Sequence, residues 1–310
     1  MWFQTVTVLK ATCANTGVGR LCMLFGRTRH AFYDRLWFLK QRDDEHILVL
    51  EMVAEIRREI PRIGTVKLYQ MIRKPLQSND VKMGRDQLHA LLQDYGLTVR
   101  PKKRYTKTTN SNHWMKKYPN LIKEFQVSEA EQIWVADITY IVVGDDDFNF
   151  LNLITDNYSK RIMGHCLHPT LEAEGTITAL KMALSNRQKT DNKLIHHSDR
   201  GTQYCCLEYV TLLRTSEIDI SMTEKGDPYE NPVAERVNGI LKGDFELDRK
   251  FSSRAEALTV IDRSIRAYNE LRPHMSCNMF TPNQAHEMVG TLGKKWKPKT
   301  YAKRLNLSYD

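Results

Sequence analysis

The sequence predicts an α/β chain in which an all-helical N-terminal region precedes a mixed five-stranded sheet with helices on its faces. Three observations predict it. Residues 18–96 hold two helical pairs, each divided by a short turn. From residue 132, β-branched and aromatic runs replace helical periodicity. Three such runs are then followed by helix, strand, helix, strand, an order that makes a mixed sheet.

The elements follow in order. VGRLCMLFGRTRHAFYDRLW (18–37) reads as two short helices around Phe25 and Gly26. Leu21, Leu24, Phe32 and Leu36 form the apolar side, and Arg27, Arg29, His30 and Arg35 lie on or beside the second helix. A second block has the same layout: Gly64 opens TVKLYQMIRKPL, a polar turn spans 78–84, and RDQLHALLQDYGL, with Arg85 at its head, ends at Gly96. Two helices with a basic or polar second member suit docking in a DNA major groove, although helical hairpins also serve as plain bundles. RPKKRYTKTTNSNHWMKK (100–117) is dense in cations, including Lys102, Lys103 and Arg104. It reads as a linker or an arm along phosphates.

IWVADITYIVV, FNFLNLITD and RIMGHCLHP read as an antiparallel meander with a turn at 144–147. A helix over LEAEGTITALKMALSNRQK, with Ile177, Leu180, Met182 and Leu184 apolar, leads to the strand KLIHHS. One helix over GTQYCCLEYVTLLRTS and a last strand IDISM complete the sheet. PVAERVNGILKGDF starts a helix with proline in its first turn, and SRAEALTVIDRSIRAYNELRP is a longer helix ended by Pro273. The expected division is a helical DNA-binding region (1–98), a basic linker (99–127), a catalytic core (128–285) and a basic tail (286–310).

Composition narrows the function classes. No apolar run in the 310 residues approaches the roughly 18 needed to cross a membrane, and the N-terminus lacks a basic leader. Six cysteines without CxxC spacing suggest free thiols in a reducing cytoplasm rather than a disulfide framework or a zinc site. The net charge of +9 is segregated: +12 over residues 1–127, −8 over 128–250 and +5 over 251–310. Basic ends around an acidic middle suit a protein whose flanks hold a polyanion while its centre holds cations.

Three acids carry the chemistry. Asp137 sits mid-strand, sharing a face with Ile133, Val135, Thr139 and Ile141 by alternation. Asp199 follows KLIHHS at the carboxyl edge of the sheet, where α/β folds tend to place ligands. Glu235 lies on a helix that buries Val233, Val237, Ile240 and Leu241. Each has a plain structural alternative: a strand hydrogen bond, a helix cap, a surface glutamate. Together they can meet only if the helix of Glu235 packs across that sheet edge. Converging carboxylates then call for a hard divalent cation, and paired cations serve in-line displacement at phosphorus. Lys242, two helical turns after Glu235, could hold a phosphate beside them. His196 and His197 read as packing or DNA contacts. The chain thus reads as a metal-dependent enzyme acting on DNA.

WVADITYI, HHSDRGTQY and GDPYENPVAERVNGILK resemble the three catalytic blocks of the integrase core in insertion-sequence transposases of the IS3 type (the OrfB subunit), and are similar to those of retroviral integrases. The 35 residues between Asp199 and Glu235 match that family's spacing. KKYPNLIKEF, YNELRPH and the TP of FTPNQAH resemble flanking blocks, so the likeness runs from about residue 18 to 285. The resemblance implies a ribonuclease H-like core, with Asp137, Asp199 and Glu235 holding two Mg²⁺ that Mn²⁺ can replace. Arg200, Gly201, Gln203, Tyr204, Asn231 and Lys242 match motif positions that shape the site or touch DNA. Glu230 stands where the family usually has Asp, which makes it a rival acid; the spacing and Lys242 favour Glu235.

The implied activity is strand cleavage at the ends of an insertion sequence, then strand transfer into target DNA. The implied partners are terminal inverted repeats, target DNA, further copies of the chain, and an OrfA-type protein or fusion, in a bacterial cytoplasm on nucleoid DNA. A non-catalytic DNA-binding regulator is the alternative. A nuclease for RNA in hybrids shares the chemistry but leaves the two N-terminal helical pairs unexplained.

Overall fold

A computed structural model of the chain describes residues 1–100, 115–144, 147–224 and 230–295. Lys102, Lys103, Arg104, the middle of the 144–147 turn and the last fifteen residues lie outside them. The chain forms two compact units, Met1–Glu55 with Ile72–Gly96, and Ile56–Met71 with Leu97–Asp310. No described helix is long and apolar enough to cross a membrane, and all six cysteines are free.

In the first unit α1 (Trp2–Thr12) and α2 (Val18–Met23) pack on the start of α3 (Arg29–Glu59). Val6, Leu21, Cys22 and Phe32 are the centre of this small core, with Phe3 against Phe32 at 4.9 Å. Gly26 makes the turn at φ +62°, a conformation that costs glycine little. Three features differ from expectation. α1 replaces an unassigned N-terminus, and α3 runs on for 31 residues instead of stopping near residue 37. Leu24 and Leu36 are exposed, because only Leu21 and Phe32 turn toward α1. The second pair keeps its expected extents as α4 (Thr65–Ser78) and α5 (Arg85–Asp94), with Gly96 again at positive φ. The division between units runs through α3 and α4.

The second unit is built on a five-stranded sheet in the order β3-β2-β1-β4-β5. β1 (Ile133–Val143) pairs antiparallel with β2 (Asp147–Asp156) from Trp134↔Asp156 to Val143↔Asp147, and β2 pairs antiparallel with β3 (Ile162–His168). β4 (Ile195–Ser198) runs parallel to β1, and β5 (Asp219–Met222) parallel to β4. This is the ribonuclease H-like arrangement that the resemblance implied. One face carries Trp134, Ala136, Ile154 and Met163 under α6 (Ala173–Ser185) and α8 (Leu207–Thr215). α6 lies so close to β3 that a Cβ on Gly164 would collide with the Ala179 carbonyl and stand 2.7 Å from the Ala183 nitrogen. The other face sets Ile133, Val135 and Ile195 against Ala234 of α9 (Pro232–Asp244). The single helix expected over 201–215 is two, α7 (Thr202–Cys205) and α8, because Cys206 turns extended at ψ 149°.

α10 (Arg254–Glu270) is capped by Ser253, and α11 (Pro282–His286) by a Thr281/Gln284 capping box. The fold continues past residue 285: Val289 bridges Glu129, and His286 is only 1% exposed. His286 joins a closed ring of buried polar groups. Its Nδ1 lies 2.9 Å from Ser159 Oγ and its Nε2 3.1 Å from Glu131 Oε1. Ser159 Oγ donates to Asp156 Oδ1 at 2.7 Å, and the Glu131 backbone N–H donates to Asp156 Oδ2 at 2.7 Å. Burial pushes the Glu131 carboxyl upward, but hydrogen bonds from His286, Gln188 and Lys189 outweigh it and hold the group below its ordinary value.

A second polar seat lies at the carboxyl end of α9. Asp244 accepts from the buried Arg272 through Nε at 2.9 Å and Nη2 at 2.7 Å, and pairs with Lys67 at 3.5 Å. Its carbonyl accepts from the Arg62 N–H, while Arg263 pairs with Glu59 at 2.6 Å. The segment Ile56–Met71 is thereby tied to α9 and α10. Burial, then the Arg272 charge, pushes the Lys67 amine down to about 8.

Candidate active site

The site is assembled by β1, the loop after β4, and α9. Parallel pairing sets Val135 beside His197, so Asp137 and Asp199 leave neighbouring strands at the same end. Alternation turns Asp137 toward the Ile133 and Val135 side, the side that α9 covers. Two asparagines seven residues apart fasten α9 there. Asn231, the N-cap, donates to the Ala136 carbonyl at 3.0 Å, and Asn238 donates to Asp137 Oδ2 at 2.6 Å. Glu235, in the first turn between them, is exposed. Asp199 is half-buried and accepts from the Gly201 N–H at 2.9 Å. A Cβ on Gly201 would meet Gln203 Oε1 at 2.8 Å and Asp199 Oδ1 at 3.1 Å, so glycine leaves room for the carboxylate.

Asp137 feels the charges of the other two acids, Asp199 more strongly than Glu235. The Asp137 carboxyl is pushed up to about 7, first by burial and then by the Asp199 charge. Hydrogen bonds from Asn238 and the Ile138 N–H oppose the rise, and Glu235 adds to it. Among the described residues no group of three His, Cys, Asp or Glu side chains stands close enough together to hold a metal ion. Carboxylates are hard oxygen donors, a chemistry that suits Mg²⁺ or Mn²⁺ rather than a soft metal.

The surrounding residues sort by what they touch. His196 Nε2 meets Tyr209 Oη at 2.8 Å, and His197 spans Ser221 Oγ at 2.8 Å and the Glu230 carbonyl at 3.2 Å. Burial pushes them down to about 3 and about 4, so both are neutral packing groups. Glu230 accepts from the Glu224 N–H at 2.6 Å, which turns its carboxylate toward that loop. Tyr204 is buried, and burial followed by the Asp199 charge raises its hydroxyl well above the ordinary value. Gln203 donates to the Leu171 carbonyl at 2.7 Å. Lys242 is half-buried, with its ammonium 4.3 Å from the Tyr140 ring centre, and it feels Asp137. Arg200 is half-buried after Asp199.

In the helical unit Arg27, Arg29, His30, Arg35 and Arg85 are all exposed. Arg27 lies over Trp2, Arg29 over Tyr33 and Arg35 over Phe38, while Arg85 pairs with Asp86 at 2.8 Å. Asn238 and Tyr140 are absent from the sequence reading. The signal for Asn238 was a polar residue among the buried helical positions Val237, Ile240 and Leu241; Tyr140 gave none beyond its place in a strand.

Two family models, both described as the integrase core domain, match residues 127–228 and 216–282. An uncharacterised 31 kDa protein of insertion element IS600 from Shigella sonnei is 33% identical over 269 residues, covering 84% of this chain and 96% of that protein. The transposase InsF of insertion sequence IS3A from Escherichia coli K12 is 28% identical over 235 residues, covering 75% and 80%. Among solved structures, the magnesium-bound catalytic core of HTLV-2 integrase aligns with a TM-score of 0.41 and 20% identity, over 51% of this chain and 98% of that one.

Proposed function

The chain belongs to the insertion-sequence transposases of the IS3 type that carry an integrase core, and from that membership we propose that it cuts DNA at the ends of its element and joins them to new DNA. The observation that carries the reading is that Asp137 and Asp199 leave neighbouring parallel strands at one end, with α9, which bears Glu235, fastened beside Asp137 through Asn231 and Asn238. The three acids would hold the divalent cations. Such a cation would supply counter-charge and Lewis acidity for displacement at phosphorus.

The chain's own residues do the rest. Asn238 and the Ile138 N–H fix Asp137, and the Gly201 N–H fixes Asp199, so that two ligands are oriented before DNA arrives. α9, fastened through Asn231 and Asn238, brings Glu235 to the same edge. Lys242 offers a cation to a backbone phosphate, and Arg200 stands beside Asp199 for the same purpose. Cleavage and joining build similar charge on phosphorus, so one site serves both with a water and then a 3′-hydroxyl as attacking group. No protein nucleophile is needed.

On the helical unit Arg27, Arg29, His30, Arg35 and Arg85 take phosphates of the element's terminal repeats. Several copies of the chain assemble on the paired ends, with an OrfA-type partner or fusion, on nucleoid DNA in the bacterial cytoplasm. The test is Asp137→Asn with the element's own ends and Mg²⁺ or Mn²⁺. Cleavage and strand transfer should vanish while DNA binding survives; full strand transfer by the variant refutes the assignment.

A further inference from the structure

Lys242 combines two facts that the proposed role does not explain. Its side chain is half-buried where the Asp137 and Asp248 charges reach it, and its ammonium sits 4.3 Å from the centre of the Tyr140 ring. A lysine next to such charges has an easy alternative, which is to swing onto a carboxylate and neutralise it. An aromatic face competes for the ammonium through its ring quadrupole, and leaves the N–H donors that point away from the ring unused. Those donors stay available for a phosphate oxygen.

The ring is itself well placed. Tyr140 lies in β1 opposite Phe150, and Phe148 meets it edge-on at 5.8 Å. Strand alternation sets Tyr140 and Asp137 on opposite faces of β1, and Lys242 is within influence of both. β4 pairs with β1 only at Ile133, Trp134 and Val135. Beyond them that edge has no ladder partner among the described residues until Val143 meets Phe251.

We propose that Tyr140 is a positioning residue, whose ring holds the Lys242 ammonium ready for a DNA phosphate and kept from collapsing onto Asp137. The proposal rests on the DNA-processing reading given above.

The test is equilibrium binding of the full chain to a short element-end duplex, in EDTA, across a salt series, so that neither metal nor turnover enters. Losing one phosphate contact lowers the slope of log Kobs against log salt by about 0.9. Lys242→Met and Tyr140→Leu should each show that loss. The double variant should show it once and not twice, and Tyr140→Phe, which keeps the ring, should bind as the parent does. Should Tyr140→Leu fail to fold, trifluorophenylalanine at position 140 keeps the shape while weakening the quadrupole, and should give the same reduced slope. A parental slope in the ring-weakened variant beside a reduced slope in Lys242→Met overturns the proposal. A parental slope in Lys242→Met overturns it too, and leaves the transposase reading standing. A parent chain that binds no DNA sinks both.

Discussion

Replacing His286 with alanine tests whether the buried ring of Glu131, His286, Ser159 and Asp156 holds the second unit together. The imidazole is 1% exposed, and the carboxyl groups of Glu131 and Asp156 are wholly buried, so no water is at hand to replace what is lost. One broken hydrogen bond is to an ionised carboxylate, worth about 1.5–3 kcal/mol, and the other is to Ser159 Oγ, worth about 1 kcal/mol. The emptied space adds a cavity cost of about 1 kcal/mol. Glu131 keeps its bonds from the Gln188 and Lys189 N–H groups, which spares the full cost of a bare buried charge. The sum is about 3.5–5 kcal/mol, which for a unit of this size lowers Tm by about 7–20 °C. Scanning calorimetry at neutral pH measures it. A loss under about 1 kcal/mol would show that the ring is satisfied some other way and that the reasoning is wrong.

Three further outcomes follow from particular contacts. Asn238→Ala removes the 2.6 Å bond to Asp137, so strand transfer at limiting Mn²⁺ should fall about 10–100-fold and recover in part at high Mn²⁺; unchanged metal dependence would remove Asn238 from the site. Lys67, pushed down to about 8 by burial and then Arg272, favours the neutral form in the fold. The unfolded chain therefore binds the extra proton between pH 8 and about 10.4, so stability from this group rises through that window and its cost is full below it. Lys67→Met should flatten the rise and stabilise the chain at pH 7 by on the order of 2 kcal/mol, read by urea titration at several pH values; a variant less stable at pH 7 would make the Asp244 pair the stronger effect. Gly164→Ala forces a methyl into the α6 backbone and should leave little folded protein, whereas Gly243→Ala, where a Cβ meets nothing within 4 Å, should not. Equal yields of the two by circular dichroism would contradict the close approach of α6 to β3.

The sheet was legible because its signals are local. IWVADITYIVV and its two followers are strands at sight, and an acid at the centre of the first is conspicuous by its neighbours. Proline at the head of PVAERVNGILK placed α9 correctly. The break at Cys206 was not legible, since no glycine or proline marks it and only packing of α7 and α8 separately on the sheet demands it. The length of α3 was hidden by QRDDEH, a polar stretch with no apolar period to carry the helix onward. Leu24 and Leu36 looked like core because α1 was missing from the reading. The Glu131–His286 contact joins residues 155 apart, and no local pattern forecasts such a meeting.

α9 answers to two masters. Near its start lie Asn231 and Asn238, which fasten it to β1 on either side of Glu235, and its last residue, Asp244, receives Arg62, Lys67 and Arg272. Thirteen residues of helix make a rod about 20 Å long, with each residue turning it by about 100°. A single inserted or deleted residue between Glu235 and Asp244 would swing one end a quarter-turn or more out of register with its partners. This stretch can therefore drift by substitution, but a change of length is open to it only in whole turns.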